Sequence, residues 1–195
     1  VASDTRLRLI ESATRRFYRD GFRNVGIDQL LADVGISKTA FYKHFESKDD
    51  LMLSVLDEQN RWVQQTFRQR MRESGGESAE GQLRALMDVV QMISETEGFR
   101  GCIFVNAAME FPLQHDPAHL AASKSKSELE DIICAVATEA GAARPRALAQ
   151  ELCLIMEGAW VTRHVSGNPN TVAIARRVAE RIIDEHLTPE MQPAT

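Results

Sequence analysis

Three cysteines are all that the 195 residues contain, Cys102, Cys134 and Cys153. An odd number at wide spacing supplies neither a disulfide framework nor a Cys-x-x-Cys metal clip, so these residues are expected to pack as small hydrophobes. Glycine (11) and proline (6) are also scarce. So little punctuation excludes collagen-like and loop-rich chains and favours long helices. Long apolar runs are missing too: the longest, Gly101 to Met109, is interrupted by Asn106 and falls well short of the roughly 18 residues that a membrane span needs. The N-terminal Val-Ala-Ser-Asp-Thr-Arg has no apolar h-region or cleavage pattern, so a cytoplasmic location is expected. No Ser/His/Asp order, P-loop or Gly-x-Gly-x-x-Gly is found, and no enzyme is expected. His115, Asp116 and His119 lie close together, but without further ligands they form too sparse a set for a metal. The sequence thus calls for no metal and no cofactor.

What is present is an ordinary globular composition, 44% hydrophobic and 26% charged, which can bury a core and excludes a disordered tail. The net charge is −5, but it is unevenly spread. Residues 1–48 hold nine Lys/Arg and six Asp/Glu, leaving 14 basic and 22 acidic residues for the rest. A mildly basic head on an acidic body is the pattern of a small anion-facing module joined to a separate core.

Helical periodicity runs through the chain. From Thr5 to Arg19, Leu7, Ile10, Ala13 or Thr14, and Phe17 mark one apolar face, with Arg8, Arg15, Arg16 and Arg19 off it, Ser3 or Asp4 as cap and Gly21 as stop. A short helix is predicted over Ile27–Val34, then a turn at Gly35, then a second helix over 38–45 capped by Ser37. Helix, Gly-containing three-residue turn and helix make a helix-turn-helix. A long helix follows from Lys48 to about Glu73, its apolar stripe formed by Leu51, Val55, Trp62, Phe67 and Met71. One further helix is read through Leu83–Ile93, one in 102–111, and three more over 118–140, 147–165 and 171–187. The expected architecture is all-α, with about nine helices, no strand and no internal repeat.

The stretch Gly35-Ile36-Ser37-Lys38-Thr39-Ala40-Phe41-Tyr42-Lys43-His44-Phe45-Glu46-Ser47-Lys48-Asp49-Asp50-Leu51 resembles the DNA-binding signature of the TetR family of transcriptional regulators. The resemblance covers about Thr5 to Val55. It implies a helix-turn-helix domain over 1–48 and a helical ligand-binding and dimerisation domain over 49–195. Physical reasoning supports the roles. Small or hydrogen-bonding residues at the start of a recognition helix, Ser37, Lys38, Thr39 and Ala40, let it approach base edges in the major groove. Tyr42, Lys43, His44 and Lys48 would flank it as phosphate contacts, Lys48 at a helix N-terminus. Phe41 and Phe45 would pack inward. At Gly26, where the family often has a capping Ser or Thr, this chain departs from the pattern.

The resemblance further implies a homodimer held by the last two helices, reading a pseudo-palindromic double-stranded DNA operator. Gly158 and Ala159 would allow close approach, with Leu152, Ile155, Met156, Val178 and Ile182 supplying apolar area. A small-molecule effector is expected among Met87, Met92, Cys102, Phe104, Asn106, Met109, Glu110, Trp160 and His164, which mix flexible, aromatic and polar groups. The function expected is a ligand-responsive regulator, a repressor released by its effector. Two alternatives stand beside it: an all-α small-molecule carrier or interaction protein that has lost DNA binding, and a thiol switch at Cys102, which precedes a helix N-terminus.

Overall fold

The structure, a computed structural model, describes residues 2–188. Among these residues it consists of ten helices and no strand, the all-α architecture that the periodicity implies. Two compact units divide the chain: one takes the residues up to Trp62 together with Ile103–Lys126, the other Val63–Cys102 and everything from Ser127 on. These units follow packing and do not divide the chain at residue 48.

The first unit contains α1 (Ala2–Asp20), α2 (Ile27–Val34), α3 (Lys38–Phe41), the first half of α4 (Lys48–Gly75), α7 (Ile103–Glu110) and the start of α8 (Pro117–Glu139). Helix α1 already runs from Ala2, earlier than a cap at Ser3 or Asp4 would allow; the Ser3 side chain lies outside the described residues. Its buried stripe is Leu9, Ile10, Ala13 and Phe17, while Leu7 is 51% exposed. Steps of four from Leu9 through Ala13 to Phe17 set the centre of that stripe and leave Leu7 on its flank. Phe17, Phe22 and Phe111 form a ring cluster, with centroids 5.1 and 6.3 Å apart along it.

Polar ties fasten α1 to α2. Arg8 Nη2 donates to the Val34 carbonyl at 2.6 Å, satisfying a helix C-terminus. Arg16 grips Asp33 with two parallel bonds of 2.6 and 2.7 Å, and Ser12 Oγ adds a third donor to the same carboxylate. These bonds hold the Asp33 carboxyl below the usual carboxylate range, chiefly through the Arg16 bond.

The second unit contains the remainder of α4, α5 (Ala79–Arg84), α6 (Leu86–Ser94), the later part of α8, α9 (Pro145–Ser166) and α10 (Thr171–Leu187). Phe67, Leu83, Leu86, Val90, Ile133, Leu152 and Ile183 are among its core residues. The segment through Leu83–Ile93, expected as one helix, is two. Ala85 ends α5 by donating to the Gly81 carbonyl, and its own carbonyl accepts the tighter bond from Asp88. The end of α4 and the start of α5 meet glycine on glycine: a methyl on Gly75 would run into the backbone of Gly81 and Gln82, and one on Gly81 into Gly75. Trp62, expected on the inner stripe of α4, is 47% exposed.

Helices α9 and α10 pack on each other, and this changes the reading of their apolar residues. Leu152, Met156 and Ala159 are buried within their own chain, and Ile155 and Ile182 are packed against the same core. The outward stripe of α9 is instead Leu154 (77% exposed), Gly158, Val161 and Val165 (79%), joined on α10 by Ile174. Spacing of four, three and four keeps these α9 residues on one face.

Candidate nucleic-acid interface

The reading head is built on two short helices. Helix α2 begins at Gly26, in extended backbone with φ −89° and ψ 158°. The missing capping hydroxyl is offset from the other side, since Gln29 Oε1 accepts the Gly26 N–H at 2.8 Å. Asp28 adds an acid in the first turn. Helix α2 ends at Gly35, whose left-handed backbone (φ 71°) lets its N–H and that of Ile36 both return to the Leu31 carbonyl. Ser37 then caps α3, its Oγ accepting from Ala40 N–H at 3.2 Å.

Helix α3 is one turn long. The helix predicted to reach residue 45 ends at Phe41, although single i→i−4 bonds still run from Tyr42 N–H to Lys38 and from Phe45 N–H to Phe41. Lys43 and His44 turn back by tighter bonds, to Ala40 and Phe41. Phe41 and Phe45 are buried with ring centroids 5.8 Å apart. Their burial leaves the other edge outside: Ser37, Lys38, Thr39, Tyr42 and Lys43 are exposed, Ala40, His44 and Lys48 half-buried. The Tyr42 ring stands edge-on to Phe41, centroids 5.3 Å apart, which fixes its base and leaves half its surface free. Lys48 opens α4, where Ser47 Oγ accepts from Asp50 N–H and Asp50 accepts from Glu46 N–H.

All eight expected DNA-facing residues therefore lie within one capped turn and the start of the next helix. Their chemistry is that of a surface for a polyanion with readable edges: a hydroxyl-rich tip flanked by cations and a phenol. Not every basic group of the head belongs to it. Arg8, Arg16 and Arg19 are held by Val34, Asp33 and Asp20, and Arg6 lies over the Phe45 ring at 5.0 Å. Gln29 was missed in the sequence, although a Gln three residues after a helix start is a readable signal. Arg8 was seen only as an outward arginine. Its target is 26 residues away, and no local pattern announces that.

The residues expected around an effector fall in both units. In the first, Phe104 is buried, Asn106 is half-buried, Met109 is 77% exposed, and Glu110 accepts backbone N–H groups from Phe22 and Arg23. In the second, Cys102 and the buried Met87 pack on the core, His164 is exposed, and Trp160 is buried with its indole N–H donating to the Val90 carbonyl at 3.2 Å. Met92 lines a shallow surface groove with Asp88, Gln91, Glu95 and Thr96. His119 Nδ1 donates to the Phe111 carbonyl, and Asp116 caps α8 at Ala118 N–H. No group of three or more metal-ligating side chains gathers among the described residues, and none of their helices is long and apolar enough to cross a membrane.

Comparison with known proteins places this geometry. The family model for bacterial regulatory proteins, tetR family, matches residues 9–55, and that for the tetracyclin repressor-like C-terminal domain matches 79–179. The HTH-type transcriptional regulator LmrA of Bacillus subtilis is 26% identical over 145 residues, 74% of this chain and 77% of that protein. The uncharacterized HTH-type regulator YerO of the same bacterium is 42% identical, but over 50 residues only, 26% of this chain and 17% of that protein. Such a relative speaks for the head alone. Among solved structures, SCO4454, a TetR-family transcriptional regulator from Streptomyces coelicolor, superposes with a TM-score of 0.88 at 29% identity, over 95% of this chain and 97% of that one. The sav143 protein of Streptomyces avermitilis gives 0.80 at 27%, over 93% and 97%.

Proposed function

The chain belongs to the TetR family of bacterial regulatory proteins and is a helix-turn-helix transcriptional regulator, and from that premise we propose that it is a repressor, dimeric on its operator and released by a small molecule. The observation that carries the DNA-reading role is the exposed edge of α3 and its following turn, with donors outside and two phenylalanines inside. Ser37, Lys38, Thr39 and Ala40 are assigned to base edges. Tyr42, Lys43, His44 and Lys48 are assigned to phosphates. Reading belongs to residues 1–48; sensing and dimerisation belong to the rest. The site of action is the cytoplasm, where a bacterial chromosome is reached.

Support for the dimer comes from the outward stripe of α9 and α10, Leu154, Gly158, Val161, Val165 and Ile174, an apolar face that a second copy would cover. Two heads then read two half-sites related by the dimer axis. The effector acts only through a difference in affinity between the DNA-bound and released states. The test is retention of genomic fragments by the purified protein at moderate salt, followed by sequencing. Enrichment of a pseudo-palindrome is expected; uniform or absent retention would overturn the reading.

A further inference from the structure

Glu110 is the last residue of α7 and reaches the turn that joins α1 to α2. Gly21 takes a left-handed φ of 87°, and the next two backbone N–H groups, of Phe22 and Arg23, converge on one point. Consecutive amides after a left-handed residue make an anion-binding concavity. Here the anion belongs to the chain itself: Glu110 Oε1 accepts from Phe22 N–H at 2.9 Å and Oε2 from Arg23 N–H at 2.8 Å. The fit is close, since a methyl on Gly21 would stand 3.1 Å from Glu110 Oε1.

Phe111 completes the grip. Its ring meets Phe22 edge-on at 6.3 Å and carries the Arg23 guanidinium over its face at 4.9 Å. The pair Glu110-Phe111 thus engages the backbone and the side chain of both turn residues. Residues 21–26 are where the chain leaves α1 for α2, and α2 leads into α3 through a three-residue turn. What fixes residues 22 and 23 therefore adds, beside the ties of Arg8, Ser12 and Arg16 to α2, to what sets the direction in which α2, and with it α3, departs.

We infer that Glu110 is a positioning residue for DNA reading: its carboxylate, seated in the backbone anion cradle of Phe22 and Arg23, holds the helix-turn-helix in its binding orientation. The inference rests on the DNA-reading assignment above. Charge-assisted bonds to two amides favour one orientation of the turn. Loss of these two bonds leaves the turn less restrained, and apparent affinity is expected to fall by the fraction of heads that remains competent.

The experiment compares wild type, Glu110→Gln and Glu110→Ala on two duplexes of equal length, one carrying the sequence that the wild type enriches from genomic fragments, the other scrambled. Melting of each protein gives its folded fraction, and backbone amide exchange is followed at Phe22 and Arg23. Glu110→Ala is expected to lose about tenfold in affinity for the enriched duplex, with binding to the scrambled one nearly unchanged and exchange at both amides accelerated. Glu110→Gln keeps one acceptor oxygen and is expected to fall between. Should Glu110→Ala fail to fold, Glu110→Gln carries the same comparison. A folded variant whose preference for the enriched duplex equals that of the wild type overturns the proposal, as does a loss no greater than its unfolded fraction. Absence of any preference in the wild type is a different result, which overturns the DNA-reading assignment itself.

Discussion

Asp33 receives two bonds from Arg16 and one from Ser12, and its carboxyl titrates below its ordinary value because the Arg16 bonds favour the charged form. A depressed carboxyl contributes stability that is fully present above its unfolded value of about 3.9 and is lost as the pH falls through the lower folded value. Asp33→Asn is therefore expected to melt below wild type at pH 7, the gap closing as the pH drops below about 4. Thermal unfolding across that range checks it. On the outer surface, single side chains are expected to affect binding alone. Tyr42→Ala should weaken operator binding without altering the dimer. Lys48→Ala should also reduce the slope of log K against log salt by about 0.9, one phosphate's share. Titration of the operator duplex at several salt concentrations reads both effects, and sedimentation reads the dimer. Loss of the dimer in either variant would remove the residue from the DNA surface.

Among the elements, the crossing of α4 and α5 is the least forgiving. Gly81 has no room for a methyl against Gly75, so Gly81→Ala is expected to cost about 1–3 kcal/mol through displaced backbone, measurable as a lower urea midpoint. Nothing in the sequence announced this crossing; Ser74-Gly75-Gly76-Glu77-Ser78 reads as a loop, and its partner glycine lies further on. Elements with their own stop and start residues were legible: α2, bounded by Gly26 and Gly35, and α10, set off by Gly167-Asn168-Pro169, match the periodicity end to end. Where no such residue marks a boundary, the pattern misled. Ala85 is a good helix former, yet α5 ends there, at a buried position. The exposed edge from Ser37 to Lys43 was legible because local caps and the turn at Gly35 set it. Glu110 was read as an effector contact because a carboxylate among apolar neighbours carries no sign of a backbone partner 88 residues away.

For the whole molecule, the proposed dimer rests on the outward stripe of α9 and α10. Val161→Glu is expected to convert the dimer to monomers in sedimentation and to abolish binding to the full operator, because it places a charge in a face that would otherwise be desolvated. Gly158→Ala tests the same face more gently: its methyl would meet nothing within 4 Å in the monomer. It should raise monomer stability by up to about 1 kcal/mol while loosening the pair.

The order in which the chain is made gives the Glu110 cradle one more consequence. The bonds within α1, α2 and α3 are local and can form as soon as those residues leave the ribosome. The clasp on Phe22 and Arg23 closes only once residue 110 has followed. A chain ending before that point holds all of α1, α2 and α3 yet lacks the carboxylate that seats on their connecting turn, so the head is complete in sequence before it is complete in its bonds.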